Sequence, residues 1–108
     1  MSWKSQWLKL VPSQRLWVEV FGIVGLPTLD NDQVLTIINR LPQREAITVK
    51  LKFGFEGKPL TLRQIGKSLP RADGDIGVSR EMARLLLNQA LRRLRNPRWR
   101  RYWQQVKV

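Results

Sequence analysis

Residues 80–95 constrain the fold of this chain more than any other segment, because their pattern is that of a helix with one apolar side. At the helical rotation of about 100° per residue, apolar side chains collect on one side and polar ones on the other. Ser79 is placed to cap this helix, and Asn96-Pro97 ends it, since the residue before a proline avoids helical backbone. The predicted buried side comprises Ala83, Leu86, Leu87, Ala90 and Leu94.

The opposite side of this helix carries the kinds of side chain that read DNA base edges. Arg pairs with guanine, Asn pairs with adenine, Glu accepts from cytosine, and an apolar side chain can contact the thymine methyl group. An ordinary solvated helix shows the same pattern, so spacing alone leaves both interpretations open. The outer face comprises Glu81, Arg84, Leu85, Asn88, Arg92 and Arg95.

A shorter helix is predicted just before this one. Thr61 and Gln64 have the spacing of a capping box, which starts a helix running from Leu62 to about Leu69. Residues 70–77 contain Pro, Asp and Gly, which are typical of a loop. Two helices joined in this way have the outline of a helix-turn-helix, in which the second helix enters the major groove of DNA.

The segment between residues 30 and 53 also has helical spacing. Asp30 is placed to cap one helix, and Pro42 lies in the first turn of the next, which runs to about Phe53. We therefore predict an all-α fold, a small helical bundle that contains a helix-turn-helix. The apolar positions of these two helices are Val34, Leu35, Ile38 and Leu41, then Ala46, Phe53 and either Ile47 or Val49.

Residues 1–27 are predicted to be an N-terminal extension containing tryptophan, and residues 28–108 the helix-turn-helix domain with a basic C-terminal helix. In the extension, Trp3, Trp7 and Leu10 are spaced as a short amphipathic helix. Trp3, Trp7 and Trp17 are interpreted as core or interface residues and not as a ligand-binding set, so the extension is expected to pack on the domain or to dock another protein.

A second helix is favoured over residues 16–24, with Ser13 as its N-cap. Its β-branched side chains leave a strand as the alternative. We expect Gly25-Leu26-Pro27 to end either element.

The charge of the chain indicates a polyanionic partner. Its 108 residues include 20 Lys and Arg against 8 Asp and Glu, a formal net charge of +12. From Ala90 onward there are seven basic residues and no acidic one. Because Leu, Trp and Tyr interleave with these charges, a structured nucleic-acid surface is favoured over a solvated tail.

Other classes of protein are disfavoured by what the sequence lacks. Without Cys or His there are no disulfides, no common zinc site and no catalytic imidazole. We expect no enzyme activity, no cofactor and no bound metal. No apolar run approaches a membrane span and no secretory pattern opens the chain, so we expect a cytoplasmic protein without a membrane partner.

Five short motifs follow one another between residues 41 and 95. They are Leu41-Pro42-Gln43-Arg44-Glu45-Ala46, Lys50-Leu51-Lys52-Phe53-Gly54, Thr61-Leu62-Arg63-Gln64-Ile65-Gly66, Val78-Ser79-Arg80-Glu81 and Ala90-Leu91-Arg92-Arg93-Leu94-Arg95. Together they resemble region 4 of the sigma-70 family of bacterial transcription initiation factors. The resemblance covers about residues 29–96.

The resemblance implies a domain that binds double-stranded DNA and reads the −35 promoter element with the helix after Ser79. Arg80, Glu81 and Arg84 match positions that contact bases or neighbouring phosphates. Basic residues that touch the DNA backbone are matched by Arg44 and Lys52. Thr61 and Leu62 begin the supporting helix, whose N-terminus faces a phosphate in the family.

The family also binds the flap of the RNA polymerase β subunit, in an apolar groove that corresponds here to the helices around residues 34–53. No segment of this sequence resembles the family's regions that bind the polymerase clamp or melt the −10 element. We therefore expect a detached region 4 domain that does not act alone as a complete initiation factor.

Two departures from the family pattern bear on DNA reading. Residues 70–77 replace a tight turn, and we expect this loop to lie away from DNA with Arg71 free to reach a phosphate. Met82 and Leu85 stand where the family carries Arg and Gln. Arg93, on the flank of the helix, is expected to contact phosphate. The alternative function is a protein-interaction module that has lost specific DNA readout.

Overall fold

The computed structural model describes residues 3–23 and 25–106, with side chains from residue 6 onward. Within this part of the chain there are seven α-helices, one 3₁₀ turn and no strand, which confirms the all-α prediction. The elements are α1 (Trp3–Lys9), α2 (Pro12–Phe21), α3 (Asn31–Ile38), α4 (Gln43–Phe53), α5 (Leu62–Ser68), α6 (Arg80–Arg95), the 3₁₀ turn (Pro97–Trp99) and α7 (Arg100–Gln104).

Three helices begin where their predicted caps stand. The Asp30 carboxylate accepts from the backbone N–H groups of residues 32 and 33, which starts α3. The Thr61 hydroxyl and the Gln64 side chain form the reciprocal capping box that starts α5. The Ser79 hydroxyl accepts from the N–H of Met82 at 3.1 Å and starts α6.

The start of α2 differs from the prediction. Ser13 does not cap it, because the helix already begins at Pro12, with Val11 as N-cap. The proline ring fixes φ near the helical value, and its missing N–H is not needed in the first turn. The element is a helix and not a strand, and it ends at Phe21, before the predicted break. Gly22, with φ of 93°, follows it; Val24 lies outside the described residues.

The main core lies where α2, α3, α4, α6 and α7 meet. Leu16, Val34, Val49, Phe53 and Leu94 are almost completely buried there. Residues of α2 therefore share one core with the helices of the predicted helix-turn-helix domain, although the domain division at residue 27 stays a prediction. A second, smaller cluster joins α5 to the first half of α6 through Ile65, Leu69, Ala83 and Leu86.

One buried arginine ties two helix ends together. Arg15 on α2 donates from Nη1 to the Phe53 carbonyl at the end of α4 and from Nη2 to the Leu8 carbonyl in α1, both at 3.0 Å. Its Nε donates to the Trp7 carbonyl at 3.3 Å. The C-terminal ends of helices carry partial negative charge, so they stabilise this cation. Burial still lowers the pKa of the Arg15 guanidinium.

Two further helix ends are capped by side chains from distant elements. Arg95, at the end of α6, donates to the carbonyls of Glu19 and Val20 at the end of α2. Trp103 in α7 donates from its indole nitrogen to the Leu94 carbonyl at 3.0 Å. Arg95 was predicted on the outer face of α6, but its guanidinium turns toward α2. These bonds satisfy carbonyl groups that have no partner within their own helix.

The helix-turn-helix junction depends on a close backbone approach at Gly66. The Val78 N–H donates to the Gly66 carbonyl at 2.7 Å. A Cβ atom built on Gly66 would lie only 2.6 Å from the Val78 carbonyl oxygen. Glycine is therefore required for α5 to lie this close to the segment that leads into α6.

Gly66→Ala tests this junction. Alanine should otherwise favour a helix by about 1 kcal/mol over glycine. Because the methyl group meets backbone and not a flexible side chain, we expect a net loss of about 1–3 kcal/mol in the free energy of unfolding, measured in urea. Ser68→Ala, at an exposed position of the same helix, is the control and should change stability little. A Gly66→Ala protein as stable as the original would contradict this account.

Candidate nucleic-acid interface

The outer face of α6 is exposed as its periodicity predicts. Leu85, at the centre of this face, keeps 49 % of its surface accessible. The apolar residues of the inner side are buried in the two clusters. The helix therefore presents a polar surface with one apolar residue in the middle, formed by the exposed side chains of Glu81, Arg84, Leu85, Asn88 and Arg92.

Two of these side chains pair with each other. The Arg84 guanidinium lies 3.1 Å from the Glu81 carboxylate, one helical turn earlier. Exposed pairs of this kind contribute about 0–1 kcal/mol. Arg84 can therefore leave Glu81 and turn to a nucleic-acid base or phosphate at little cost.

Cationic side chains from three helices meet in a surface depression beside the start of α6, here called the basic cleft. Lys52 comes from the last turn of α4, Arg63 from the first turn of α5, and Arg80 from the first residue of α6. Thr61 and Leu62 complete a lining that encloses about 480 Å³. Four predicted residues thus come together, and none of the lining residues is acidic.

Arg63 is the residue of this cleft that the sequence did not single out. The only sequence feature that could have pointed to Arg63 is its position in the first turn of α5, directly after Leu62. An exposed arginine in a first turn is common, and neither the spacing nor the family resemblance distinguishes this one. The packing of α5 against α4 and α6 gives it two cationic neighbours.

The remaining predicted residues lie elsewhere. Arg44 is in the first turn of α4, about 12 Å along the helix axis from Lys52, and its Nε is buried without a hydrogen-bond partner among the described residues. Asn88 and Arg92 border a second depression of about 550 Å³ with Arg95, Asn96 and Pro97. The interface is therefore an extended surface with depressions near both ends of α6.

Arg71 is paired within its own loop and is not free as expected; because these pairs are exposed, its contact with a phosphate stays a prediction. Its Nη2 lies 2.7 Å from the Asp73 carboxylate, and its Nη1 lies 3.9 Å from that of Asp75. The loop folds back on itself, with the Arg71 N–H donating to the Asp75 carbonyl at 2.7 Å and an isolated bridge between Pro70 and Ile76. This tight hairpin brings both carboxylates to the guanidinium.

Arg93 is paired within the fold, and its contact with phosphate stays a prediction. Its Nε donates to the Glu45 carboxylate at 3.0 Å, and the Glu45 side chain is only 5 % exposed. The turn of α6 carries Arg93 over α4, where it balances a buried charge. Arg93 therefore helps to hold α6 against α4.

The described residues offer binding groups but no sign of a metal centre. They contain no group of three or more His, Cys, Asp or Glu side chains placed to hold a metal ion. None of the helices in the described ranges has the length and hydropathy needed to cross a membrane. What the surface offers is cations, hydrogen-bond donors and one apolar side chain.

The packing of α5 on α6 through Gly66, with an exposed polar face on α6, defines a helix-turn-helix protein. The chain belongs to the sigma-70 region 4 family: the family model described as Sigma-70, region 4 matches residues 37–96. The family is a class of DNA-binding transcription-factor domains that are not enzymes.

A curated relative supports this assignment. The RNA polymerase sigma factor SigA of Clostridium acetobutylicum is 37 % identical over 67 residues, which is 61 % of this chain. The match covers only 16 % of that relative, so the chain corresponds to a small part of a curated sigma factor. No solved structure matches the chain significantly.

Arg93→Ala is expected to destabilise the fold. It leaves the Glu45 carboxylate buried and unpaired. Removing one partner of a fully buried pair costs about 3–5 kcal/mol. Because Arg93 is itself half exposed, we expect a loss of about 1–3 kcal/mol in urea unfolding, allowing for partial solvation. Arg92→Ala, the neighbouring exposed arginine, should be nearly neutral. Equal effects of the two substitutions would contradict the role assigned to the Glu45 pair.

Proposed function

We propose that this chain binds promoter DNA of the −35 type, with the outer face of α6 in the major groove and the basic cleft on the phosphate backbone. The observation that carries the proposal is the basic cleft itself, in which Lys52, Arg63 and Arg80 converge at the start of α6. The first residues of the recognition helix are the ones that meet base edges in a helix-turn-helix. A cationic cleft beside them is where the DNA backbone would pass.

The proposed DNA contacts are of two kinds, phosphate contacts and base contacts. Lys52, Arg63 and Arg80 fix the position of the duplex through phosphates, with Thr61 and Leu62 at the start of α5 beside them and Arg44 as a further backbone contact. Phosphate contacts set register and orientation but carry no sequence information. Arg84 and Asn88 are the base-reading candidates, with Glu81 selecting cytosine and Leu85 meeting a thymine methyl group. Arg92, a turn further on, extends the phosphate contacts.

Binding to the RNA polymerase β flap forms the second part of the proposal, and the fold restricts it. The apolar residues of α3 and α4 that correspond to the family's groove, such as Val34, Ile37 and Val49, are buried in the main core with α2 packed against both helices. A flap contact through these residues requires α2 to move, whereas DNA binding does not. The cytoplasm, where transcription takes place, is the proposed location.

Docking of another protein through the N-terminal tryptophans receives less support. Trp17 is part of the main core, and Trp7 packs on Phe53 with ring centres 6.2 Å apart. The side chain of Trp3 lies outside the described residues. A structural role for Trp7 and Trp17 is therefore what the contacts favour.

The alternative function is a protein-interaction module derived from the same family. The exposed Leu85 favours it, because this side chain lies at the centre of the face that would read DNA. Because about half of this side chain is already covered, burying the rest against a partner would contribute about 1 kcal/mol.

DNA affinity is expected to fall steeply with salt. With about six phosphate contacts, counterion release predicts a loss of roughly three decades in affinity between 50 and 200 mM salt. Anisotropy of a labelled 20-base-pair duplex measures this. Arg63→Gln should reduce the salt slope by about one, while Arg40→Gln, which removes an equal charge at the end of α3, should leave it unchanged. No binding at 50 mM salt would contradict the proposal and favour the protein-interaction module.

Base reading is separable from phosphate contact by a second set of variants. After selection of a preferred duplex from a random pool, Arg84→Ala should cost about 1–3 kcal/mol on that duplex and reduce its advantage over a scrambled one. Arg63→Ala should weaken both duplexes alike. If Arg84→Ala also weakens both equally, base reading by this residue is excluded.

Leu85→Gln distinguishes the two functions. Weaker binding confined to duplexes with thymine in the site supports DNA reading. Unchanged or tighter DNA binding, together with loss of a co-purifying protein, supports the interaction module.

A further inference from the structure

A second cleft, here called the aromatic cleft, lies between the ends of α2 and α6 and the start of α7. It encloses about 340 Å³ and is lined by the apolar side chains of Trp17, Phe21, Leu94, Pro97 and Trp103. The Phe21 ring packs against those of Trp17 and Trp103, with ring centres 4.4 and 5.2 Å away. Nevertheless, 46 % of the Phe21 surface remains accessible. Because Trp17 and Trp103 are only 9 % and 3 % exposed, Phe21 supplies most of the accessible aromatic surface of this concave site.

The border of this cleft is positively charged. Arg95 and Arg100 line it, and none of its described lining residues is acidic. The Arg95 guanidinium is oriented by the carbonyls of Glu19 and Val20. Because neutral carbonyls do not cancel its charge, Arg95 remains a cation available to a ligand. Arg100 is exposed, in the first turn of α7.

The walls of the cleft are held in place by contacts within the fold. The Trp103 indole donates to the Leu94 carbonyl at 3.0 Å, and its ring meets Trp17 edge to face at 5.7 Å. A ligand entering the cleft therefore does not have to order these side chains, which lowers the entropic cost of binding. Concave, preformed, mostly apolar sites with a few polar groups are typical of ligand-binding sites.

We propose that the aromatic cleft docks an acidic peptide segment of a partner protein. One aromatic or branched aliphatic side chain of the segment enters beside Phe21 and Trp103, and flanking carboxylates pair with Arg95 and Arg100. Charge complementarity selects this occupant, since two arginines on a chain of net charge +12 attract a carboxylate-rich segment. DNA phosphate fits the interior poorly, because the aromatic lining cannot offset its desolvation.

The proposal does not depend on DNA binding. The aromatic cleft shares no residue with the basic cleft, but it shares Arg95, Asn96 and Pro97 with the second depression on α6. Phe21 and Arg100 line neither of those two depressions, so the aromatic cleft can be changed separately through them. Variants of one therefore serve as controls for the other.

The test uses the full chain and a fluorescein-labelled peptide in which adjacent Phe and Leu residues are flanked on each side by three Asp or Glu residues. Binding is followed by anisotropy. Two matched peptides are the controls: one carries Ser in place of Phe and Leu, and the other carries Asn and Gln in place of the acids. Each control should bind roughly tenfold more weakly, because an apolar anchor and its charged neighbours are both required.

Variants of the protein locate the site. Phe21→Ser should reduce affinity for the acidic peptide roughly tenfold, and Arg100→Gln roughly threefold. Ile23→Ser is the matched control, since Ile23 is equally exposed at 50 % but does not line the cleft. Circular dichroism melting checks that each variant folds. If Phe21→Ser destabilises the protein, Arg100→Gln still tests the site, because replacing an exposed side chain should not affect folding.

Three results would overturn the proposal. Equal binding of the serine-substituted peptide, or binding insensitive to both Phe21→Ser and Arg100→Gln, would mean nonspecific charge attraction. If a 20-base-pair duplex displaces the peptide and both variants weaken the duplex as much as the peptide, the cleft belongs to a nucleic-acid surface. Retained peptide binding in Arg63→Gln, with weakened duplex binding, supports two independent sites.

Discussion

The fold depends on the buried guanidinium of Arg15. It joins α2 to the end of α4, which is 38 residues further along the chain, and to the end of α1. Helix ends bring unpaired carbonyl groups into the structure, and burying them without donors would cost free energy. Arg15, Arg95 and Trp103 supply those donors from other helices. The C-terminal ends of α1, α2, α4 and α6 are therefore each capped by a side chain of another helix, in addition to apolar packing.

Features set by local chemistry could be predicted from the sequence. Asp30, Thr61 and Ser79 each cap a helix because their side chains reach N–H groups only two or three residues away. The buried side of α6 follows from helical rotation alone. Ser13 was misplaced as a cap because a proline one residue earlier fits the first turn equally well, and sequence rules do not rank the two.

Features set by distant partners could not be predicted. Arg93 and Arg95 lie on the polar part of α6, where helical periodicity predicts an exposed position for every arginine alike. Their partners, Glu45 and the end of α2, are 48 and 75 or more residues away, so only the packing of the helices decides which arginine is structural. The basic cleft has the same origin, and Arg63 joins it only because α5 lies between α4 and α6.

The close approach at Gly66 has a consequence for how such a protein changes during evolution. The distance between α5 and the start of α6 is set by direct contact between their backbones at Gly66. The smaller apolar cluster that joins these helices consists only of inward-facing side chains. The outward-facing residues of α6 take no part in this packing. Their identities can therefore drift, and with them the ligand that is recognised, while the angle at which the helix is presented is inherited unchanged.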